Sequence, residues 1–317
     1  MRIFMTGATG FAGSYLVNDL VAAGNHVTAL LHPATSHQNL PSKPQVEAVE
    51  GDLLDAAWLK TAVAQAQPDV IYHLAGQAYP ARSWQDPALT MAVNAGGTAN
   101  VLQAAVAYGR PRVVVVTSAE IYGIIAIEEM PLTEANWPEP RHPYGISKWA
   151  ASQLAAVYWQ RYQLPVVEAR PFNHIGPHQA LGFVVPDFAS QLAAIKLGQA
   201  PPVMHVGNLQ AQRDFTDVRD VARAYQLLAE KGQPGQAYFI CSGQAVSIQY
   251  LLNTLIKAAG VKVEIEYDPA RMRPSDTPCL FGSYAKIEAD TGWRPQIDLA
   301  DSLADALTEW VDRLAEA

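Results

Sequence analysis

The glycine-rich segment of residues 7–13 (GATGFAG) constrains the fold of this chain more than any other stretch. A short apolar strand is predicted directly before it and an apolar helical pattern directly after it, which is the context of a dinucleotide fingerprint. Gly7 permits a tight turn, Gly10 lets the backbone approach a pyrophosphate, and Gly13 lets the helix pack closely on the strand. A plain glycine-rich turn is the alternative, but both flanking elements favour a cofactor loop. The residues assigned to this loop are Gly7, Gly10, Phe11, Ala12 and Gly13.

The second predicted strand, residues 26–31, ends where the adenosine ribose is expected. An NAD site usually has Asp or Glu there, whereas this chain continues as Leu31 and His32. The missing carboxylate removes a repulsion against a 2'-phosphate, and His32 adds a possible donor, so the pattern leans toward NADP. NAD stays open because no arginine is present to clamp the phosphate, and His32 is equally compatible with a solvated loop.

Two further segments are expected to contact the cofactor. Asp52 and Leu53 follow a third predicted strand, where the carboxylate can accept from the adenine amino group and the leucine can lie against the ring. Asp52 as the cap of the next helix is the alternative. A fourth buried strand ends in small residues that suit close passage of a cofactor, namely Leu74, Ala75 and Gly76.

The valine run of residues 113–116 predicts a central strand that is buried on both faces. Ser118 and Glu120 follow it, at the end of the strand where open α/β sheets bind ligands. Ser118 can hydrogen-bond a sugar oxygen, and Glu120 can act as a second acid or base. A turn residue and a helix cap are the alternative interpretation of the same two positions.

Tyr144 and Lys148 are four residues apart on a predicted helix and therefore share a face. A free phenol has a pKa of about 10. A nearby ammonium favours the phenolate, so we expect Lys148 to bring the Tyr144 pKa toward the useful range. The spacing is common by itself in ordinary amphipathic helices, and it gains meaning only beside the motifs upstream.

Taken in order, these motifs resemble the extended short-chain dehydrogenase/reductases, the nucleotide-sugar epimerases, dehydratases and reductases. The resemblance covers nearly the whole chain and implies a catalytic set of Ser118, Tyr144 and Lys148, with Glu120 as a further acid/base. It also implies that Lys148 and Tyr144 contact the nicotinamide ribose and that Asn94 braces the lysine or a water. The implied fold is a Rossmann-type, doubly wound parallel sheet with a smaller C-terminal α/β substrate domain.

The second half is expected to bind the nucleotide-sugar. The resemblance assigns the loop from Asn173 to the diphosphate, while Arg213 suits a diphosphate because a guanidinium donates two parallel hydrogen bonds. Phe183 and Val184 are expected against a base that Lys196 can reach, although a solvated helix-end lysine is the commoner case. Arg273 and Asp276 offer a second arginine and a carboxylate for a ribose. Either arginine can instead form a surface ion pair.

Within that family, these segments are most similar to enzymes of GDP-mannose metabolism. The expected reaction is NAD(P)H-dependent reduction of the C4 ketone of GDP-4-keto-6-deoxy-D-mannose to GDP-D-rhamnose. A GDP-mannose 4,6-dehydratase or another nucleotide-sugar epimerase or dehydratase is the alternative, since Glu120 is where a dehydratase needs a base. A non-catalytic binder of dinucleotide and nucleotide-sugar is the alternative of another class.

The domain boundary is expected to be discontinuous. Residues 1–172 with a return segment near 206–232 form the dinucleotide domain, and residues 173–205 and 233–317 mainly form the substrate domain. Relatives pair the helices at 88–108 and 144–163, so a homodimer is expected through apolar residues on their exposed faces: Val101, Ala104, Trp149, Leu154 and Trp159. Burial of these residues within one chain is the competing explanation.

Composition excludes several other classes. The net charge of -8, with no basic run, argues against a nucleic-acid surface. The two cysteines, Cys241 and Cys279, have no metal-ligand spacing and are expected to be buried free thiols. No apolar run reaches the length of a membrane span, and the chain begins with a strand-like segment, so we expect a cytoplasmic protein without a signal peptide.

Overall fold

The computed structural model describes residues 1–33, 39–271 and 277–316. Its strands are β1 (Arg2–Thr6), β2 (His26–Leu31), β3 (Val46–Glu50), β4 (Val70–His73), β5 (Arg112–Val116), β6 (Val166–Pro171), β7 (Asn173–Ile175), β8 (Val203–Val206), β9 (Gln212–Arg213), β10 (Phe215–Asp217), β11 (Ala237–Ile240), β12 (Val246–Ser247), β13 (Glu264–Tyr267) and β14 (Cys279–Leu280). Seven of them form a parallel sheet in the order β11-β6-β5-β4-β1-β2-β3. The predicted Rossmann-type fold is confirmed by this sheet.

The helices are α1 (Phe11–Ala22), α2 (Ala56–Ala66), α3 (Pro80–Gln85), α4 (Pro87–Met91), α5 (Gly97–Tyr108), α6 (Pro143–Tyr162), α7 (Val184–Lys196), α8 (Val218–Lys231), α9 (Ile248–Ala259), α10 (Ala285–Thr291) and α11 (Leu299–Ala315). One face of the large sheet is covered by α1, α8 and α10, and the other by α2, α5 and α6. Helices on both faces explain why β5 is a run of valines, since Val113, Val114 and Val115 are all fully buried.

A second apolar core is built by α7, α9 and α11, with small sheets β8–β13, β7–β10 and β12–β9–β14 beside it. Helix α8 packs against α1 on the large sheet. The strand that follows it, β11, pairs with β6 in the same sheet.

The helix predicted over residues 88–108 is divided in the structure. Between α4 and α5, residues Ala92–Gly96 form a wider π-helical turn. Such turns displace one side chain relative to a regular helix and are frequent at functional sites. Here the turn contains Asn94, which is 1% exposed.

The expectation that Val101 and Ala104 lie on an exposed face is wrong, because both are fully buried in the core beneath α5. Trp149, Leu154 and Trp159 are half-buried, so burial within one chain accounts fully only for Val101 and Ala104. A different set of apolar side chains is exposed on α6, namely Ile146, Val157 and Tyr162.

Candidate active site

A cleft of about 1450 Å³ opens at the carboxyl ends of the large sheet's strands and is lined by residues of both halves of the chain. Within the described ranges, every residue predicted for the site lines this cleft except Asn94 and Lys196. Arg273 and Asp276 lie outside the described residues. The cleft is therefore in the position that an open α/β sheet reserves for ligands.

The glycine loop between β1 and α1 has the expected shape. Gly7 has a φ of +76°, a backbone conformation that side chains rarely adopt, and a Cβ on Gly13 would lie 2.0 Å from the Gly7 carbonyl oxygen. Gly10 is the N-cap residue of α1 and provides no side-chain cap. The first turn of α1 therefore presents backbone N–H groups at the cleft, and an anionic pyrophosphate fits there.

The expected adenosine end of the cleft is formed by His32, Asp52 and Leu53. The Asp52 carboxylate accepts from the backbone N–H of Leu54 at 2.9 Å. It does not cap the next helix, because the cap of α2 is Asp55, which accepts from two N–H groups of the first turn. The alternative of a helix cap at Asp52 is thus wrong by three residues, and Asp52 lines the cleft.

Asn94 lies behind the cofactor loop rather than in the cleft. Its Oδ1 accepts from the backbone N–H of Gln77 at 2.8 Å, while its Nδ2 donates to the Gln77 carbonyl and to Ser147 Oγ, at 3.1 and 2.9 Å. A Cβ on Gly76 would lie 2.8 Å from Asn94 Oδ1 and 3.3 Å from Lys148 Nζ. Asn94 therefore joins the loop after β4 to α6, close to Lys148.

The predicted catalytic residues converge where β5 ends and α6 begins. The Ser118 hydroxyl accepts from the backbone N–H of Glu120 at 3.1 Å and hydrogen-bonds the phenol of Tyr144. Lys148 Nζ donates to the carbonyl of Val116, the last residue of β5, at 3.0 Å. Tyr144 and Lys148 are both buried, 8% and 6% exposed. The arrangement can hold an oxygen at Ser118 and supply it with a proton from Tyr144.

The electrostatics of this pair differ from the expected ones. Burial raises the pKa of Tyr144 to about 12, against the lowering effect of the Ser118 hydrogen bond, and the charge of Glu120 raises it further. Burial also lowers the pKa of Lys148 to about 8. The expectation that Lys148 lowers the Tyr144 pKa is therefore not met, because desolvation of the buried phenol dominates. The raised pKa favours the protonated phenol at neutral pH.

Glu120 is joined to His142, a residue that the sequence did not single out. His142 Nε2 lies 3.1 Å from Glu120 Oε2, and the imidazole stacks on the Tyr144 ring with an interplanar angle of 9°. A signal was present in the sequence, since Pro143 at a first helical position makes residue 142 an N-cap. What the sequence did not show is that the cap reaches a carboxylate 22 residues away.

A buried ion pair lies directly behind the catalytic residues. The Glu168 carboxylate accepts from Arg170 Nε at 2.8 Å and Nη2 at 2.9 Å, and also from the hydroxyls of Thr117 and Ser152, at 2.6 and 2.9 Å. Thr117 precedes Ser118, and Ser152 is one turn beyond Lys148. The pair therefore ties the end of β5 and the middle of α6 to β6.

On the substrate side, Asn173, Val184 and Arg213 line the cleft. Arg213 is close enough to Glu120 for each charge to favour the ionised form of the other. Its strand is anchored by the neighbouring Asp214, whose carboxylate accepts from Ser242 N and Oγ at 2.6 and 2.7 Å. A guanidinium in this position suits a diphosphate.

Lys196 is at the exposed C-terminal end of α7 and is not brought to the cleft. This position fits the alternative stated above, a solvated lysine at the end of a helix. The aromatic ring of Phe183, which was expected against a base, lines the cleft beside that of Tyr79, which was not predicted; their centroids are 4.8 Å apart.

Neither a metal cluster nor a membrane span accompanies the cleft in residues 1–33, 39–271 and 277–316. Within these ranges no three His, Cys, Asp or Glu side chains are grouped so that they can hold a metal ion. In the same part of the chain, no helix combines the length and apolarity needed to cross a bilayer. Cys241 and Cys279 are free and buried, as expected.

Comparison with known proteins identifies relatives over the whole chain. The family model described as GDP-mannose 4,6 dehydratase matches residues 4–306. GDP-6-deoxy-D-mannose reductase of Pseudomonas aeruginosa is 38% identical over 316 residues, covering 99% of each chain.

Two solved structures are similar as well. The structure of RMD from Pseudomonas aeruginosa complexed with NADPH has a TM-score of 0.87 and 35% identity, covering 99% of this chain and 100% of that one. DesIV, a dTDP-glucose 4,6-dehydratase from Streptomyces venezuelae with NAD and TYD bound, has a TM-score of 0.88 and 29% identity over 100% of this chain and 98% of that one.

Proposed function

The chain belongs to the GDP-mannose 4,6-dehydratase family, and we propose that within this family it acts as a ketone reductase. The proposed reaction is reduction of the C4 ketone of GDP-4-keto-6-deoxy-D-mannose to the alcohol of GDP-D-rhamnose. The observation that carries the proposal is the 38% identity to GDP-6-deoxy-D-mannose reductase over the full chain. The buried Ser118–Tyr144 hydrogen bond in the cleft provides the chemistry that this reaction needs.

The chain's own residues have distinct tasks in this reaction. NADPH, when bound, supplies the hydride that C4 receives. The Ser118 hydroxyl holds the C4 oxygen, and Tyr144 transfers its phenolic proton to that oxygen as its charge develops. The hydride and the proton together convert the ketone to the alcohol. Arg213 and Asn173 hold the diphosphate of the substrate, which keeps the ketone at Ser118.

The cleft also fits the cofactor. The uncapped first turn of α1 would hold the pyrophosphate, Asp52 and Leu53 the adenine, and Lys148 with Tyr144 the nicotinamide ribose; all of these residues are at the cleft. His32 lines the cleft where β2 ends without a carboxylate. That feature favours the 2'-phosphate of NADPH over NAD, and it agrees with the NADPH-bound structure of the Pseudomonas aeruginosa relative.

A GDP-mannose 4,6-dehydratase is the second candidate. Glu120 favours it, because this partly buried carboxylate lines the cleft with its pKa below the ordinary value. Burial alone would raise that pKa, but the interaction with His142 and the charge of Arg213 outweigh burial. An ionised carboxylate is the form that can remove a proton from a sugar carbon.

The test is the loss of NADPH absorbance after purified protein is mixed with GDP-4-keto-6-deoxy-mannose. We expect rapid NADPH oxidation and the appearance of GDP-rhamnose. Failure to oxidise NADPH, combined with conversion of GDP-mannose to its 4-keto-6-deoxy derivative, would replace the reductase with the dehydratase. Binding of both ligands without turnover in either assay would indicate a non-catalytic binder.

Tyr144→Phe is the matched variant for the catalytic step. Because it removes the proton donor and keeps the ring, we expect turnover to fall by at least about 100-fold while NADPH still binds. NADPH affinity from fluorescence titration is the control. Turnover close to that of the wild type would refute the assigned role of Tyr144.

We also propose a homodimer in the cytoplasm. Ile146 and Val157, which are 47% and 52% exposed, lie eleven residues apart on α6 and therefore on the same face. An exposed apolar stripe of this kind supports pairing of α6 with its copy, and the two buried free thiols suit a reducing compartment. Light scattering at working concentration tests the dimer, and Val157→Glu is expected to give a monomer.

A further inference from the structure

His142 occupies the N-cap of α6, two residues before Tyr144. Its Nδ1 lies 3.0 Å from the backbone nitrogen of Gly145. A backbone N–H can only donate, so Nδ1 must be the acceptor and carries no proton. The cap therefore fixes the protonation state of one ring nitrogen.

The other ring nitrogen faces a carboxylate. His142 Nε2 lies 3.1 Å from Glu120 Oε2, and an ionised carboxylate can only accept. The ring proton must then reside on Nε2 and be donated to Glu120. The two contacts together define a neutral imidazole of the Nε2–H form.

The ring of His142 also contacts the proton donor. Its plane is 9° from that of Tyr144, with 6.0 Å between the ring centroids. One side chain therefore contacts the first turn of α6, the Tyr144 ring and the Glu120 carboxylate. The His142 side chain is only 18% exposed, so the surrounding residues hold it in this position.

We propose that His142 is a positioning residue for the reduction: its Nε2–H holds the Glu120 carboxylate in place near Tyr144, while its ring orients the phenol. This inference rests on the proposed reductase function for its kinetic consequence, but its structural content, the tautomer and the bond to Glu120, does not. In this role His142 acts on the reaction through Glu120 and Tyr144.

The Glu120 carboxylate, which His142 holds in place, acts on the proton donor Tyr144. Burial raises the pKa of Tyr144, and the charge of Glu120 raises it further. A carboxylate fixed near the phenol thus keeps the proton on Tyr144 until the ketone oxygen becomes basic enough to take it. A carboxylate free to turn toward solvent or toward Arg213 has a weaker effect.

Two amide variants separate this role from helix capping. In His142→Asn the side-chain oxygen takes the place of Nδ1, so the cap on Gly145 is kept and the donor to Glu120 is lost. In His142→Gln the amide nitrogen takes the place of Nε2, so the donor to Glu120 is kept and the cap is weakened. Ser247→Ala removes the cap of the remote helix α9 and is the matched control for stability alone.

We expect kcat to fall by roughly tenfold to 100-fold in His142→Asn, with unchanged KM for NADPH and nearly wild-type thermal stability. His142→Gln should lose less kcat than His142→Asn, because it keeps the donor to Glu120 although it also lacks the ring, and it should unfold at a lower temperature. Ser247→Ala should lose stability and keep kcat. The opposite order, with activity following stability through the three variants, would overturn the proposal.

Combining His142→Asn with Glu120→Gln provides a second kinetic criterion. When two residues act as a unit, the effects of replacing them do not add. The double variant should therefore lose about as much kcat as the more damaging single variant. Losses that multiply would contradict action through Glu120.

The tautomer itself is measured without substrate, by ¹⁵N NMR of histidine-labelled full-length protein, with His142→Asn used for assignment. Protonated Nε2 with unprotonated Nδ1 is expected at neutral pH, and the Nδ1–H form or a cationic ring would overturn the proposal. If the wild type does not reduce the ketone, the proposed function fails, and the NMR result still decides whether His142 holds Glu120.

Discussion

Replacing Glu168 with Gln is expected to destabilise the protein strongly without changing any residue of the cleft. Glu168 and Arg170 are 6% and 7% exposed, and the carboxylate is surrounded by four donors from three elements. An amide keeps the shape but turns an NH₂ group toward donors and leaves the guanidinium of Arg170 buried without a counter-charge. Breaking a buried pair in this way costs about 3–5 kcal/mol.

The assay is urea unfolding followed by far-UV circular dichroism at pH 7, with the free energy of unfolding compared between variants. Glu139→Gln is the matched control, because Glu139 pairs with Arg141 at the surface, where the two side chains are 61% and 49% exposed. Screening by solvent limits that pair to less than about 1 kcal/mol. The two substitutions make the same chemical change at opposite extremes of burial.

A double variant, Glu168→Leu with Arg170→Met, tests whether the unpaired charge of Arg170 causes the loss of stability. Replacing both charges with apolar groups of similar volume removes the unpaired charge, so most of the lost stability should return. Activity should stay reduced, since Thr117 and Ser152 no longer share a partner that ties β5 to α6. A loss below about 1 kcal/mol in Glu168→Gln would refute the reasoning, because it would mean that the carboxylate is solvated.

Two further predictions concern the cofactor loop and the anchor of Arg213. Gly13→Ala should abolish NADPH binding in a fluorescence titration, because its Cβ would lie 2.0 Å from the Gly7 carbonyl oxygen. The control Gly96→Ala should bind NADPH normally, since no atom lies within 4 Å of the added Cβ. Burial raises the pKa of Asp214 from 3.8 to about 6, against the hydrogen bonds from Ser242, Gly282 and Gly243. A raised carboxyl pKa favours folding at low pH, so the stability that Asp214 contributes should fall by about 2–3 kcal/mol as the pH rises from 4 to 7. Unfolding of the wild type and Asp214→Asn across that range tests this, and a pH-independent difference would contradict it.

The sequence was most informative where the signal is local. The strand, glycine turn and helix around Gly10 depend on residues adjacent in the chain, and β5 is determined by consecutive valines that need burial on both faces. The place of Ser118 at the carboxyl end of a buried strand followed from the rules of parallel sheets. Its convergence with Tyr144, which lies on helix α6, was predicted from the resemblance to the extended short-chain dehydrogenase/reductases.

Where a feature depends on tertiary packing, the sequence-based prediction either missed it or was wrong. The π turn around Asn94 follows from contacts with Gln77 and Ser147, neither of which is near it in sequence. The exposed face of α5 was misjudged because Val101 and Ala104 have the same helical spacing whether they face a partner or the core. The pKa of Tyr144 was predicted in the wrong direction, since the four-residue spacing to Lys148 indicates proximity but says nothing of desolvation.

That last correction bears on which reaction the site favours. A reductase needs Tyr144 to begin with its proton, whereas a dehydratase or an epimerase begins by oxidising the C4 alcohol and needs Tyr144 to accept one. Burial and the charge of Glu120 both favour the protonated phenol, with a pKa of about 12. The site that Glu120 and His142 build around Tyr144 is therefore better suited to reduction of a ketone than to oxidation of an alcohol, even though the same glutamate is the base that a dehydratase would use.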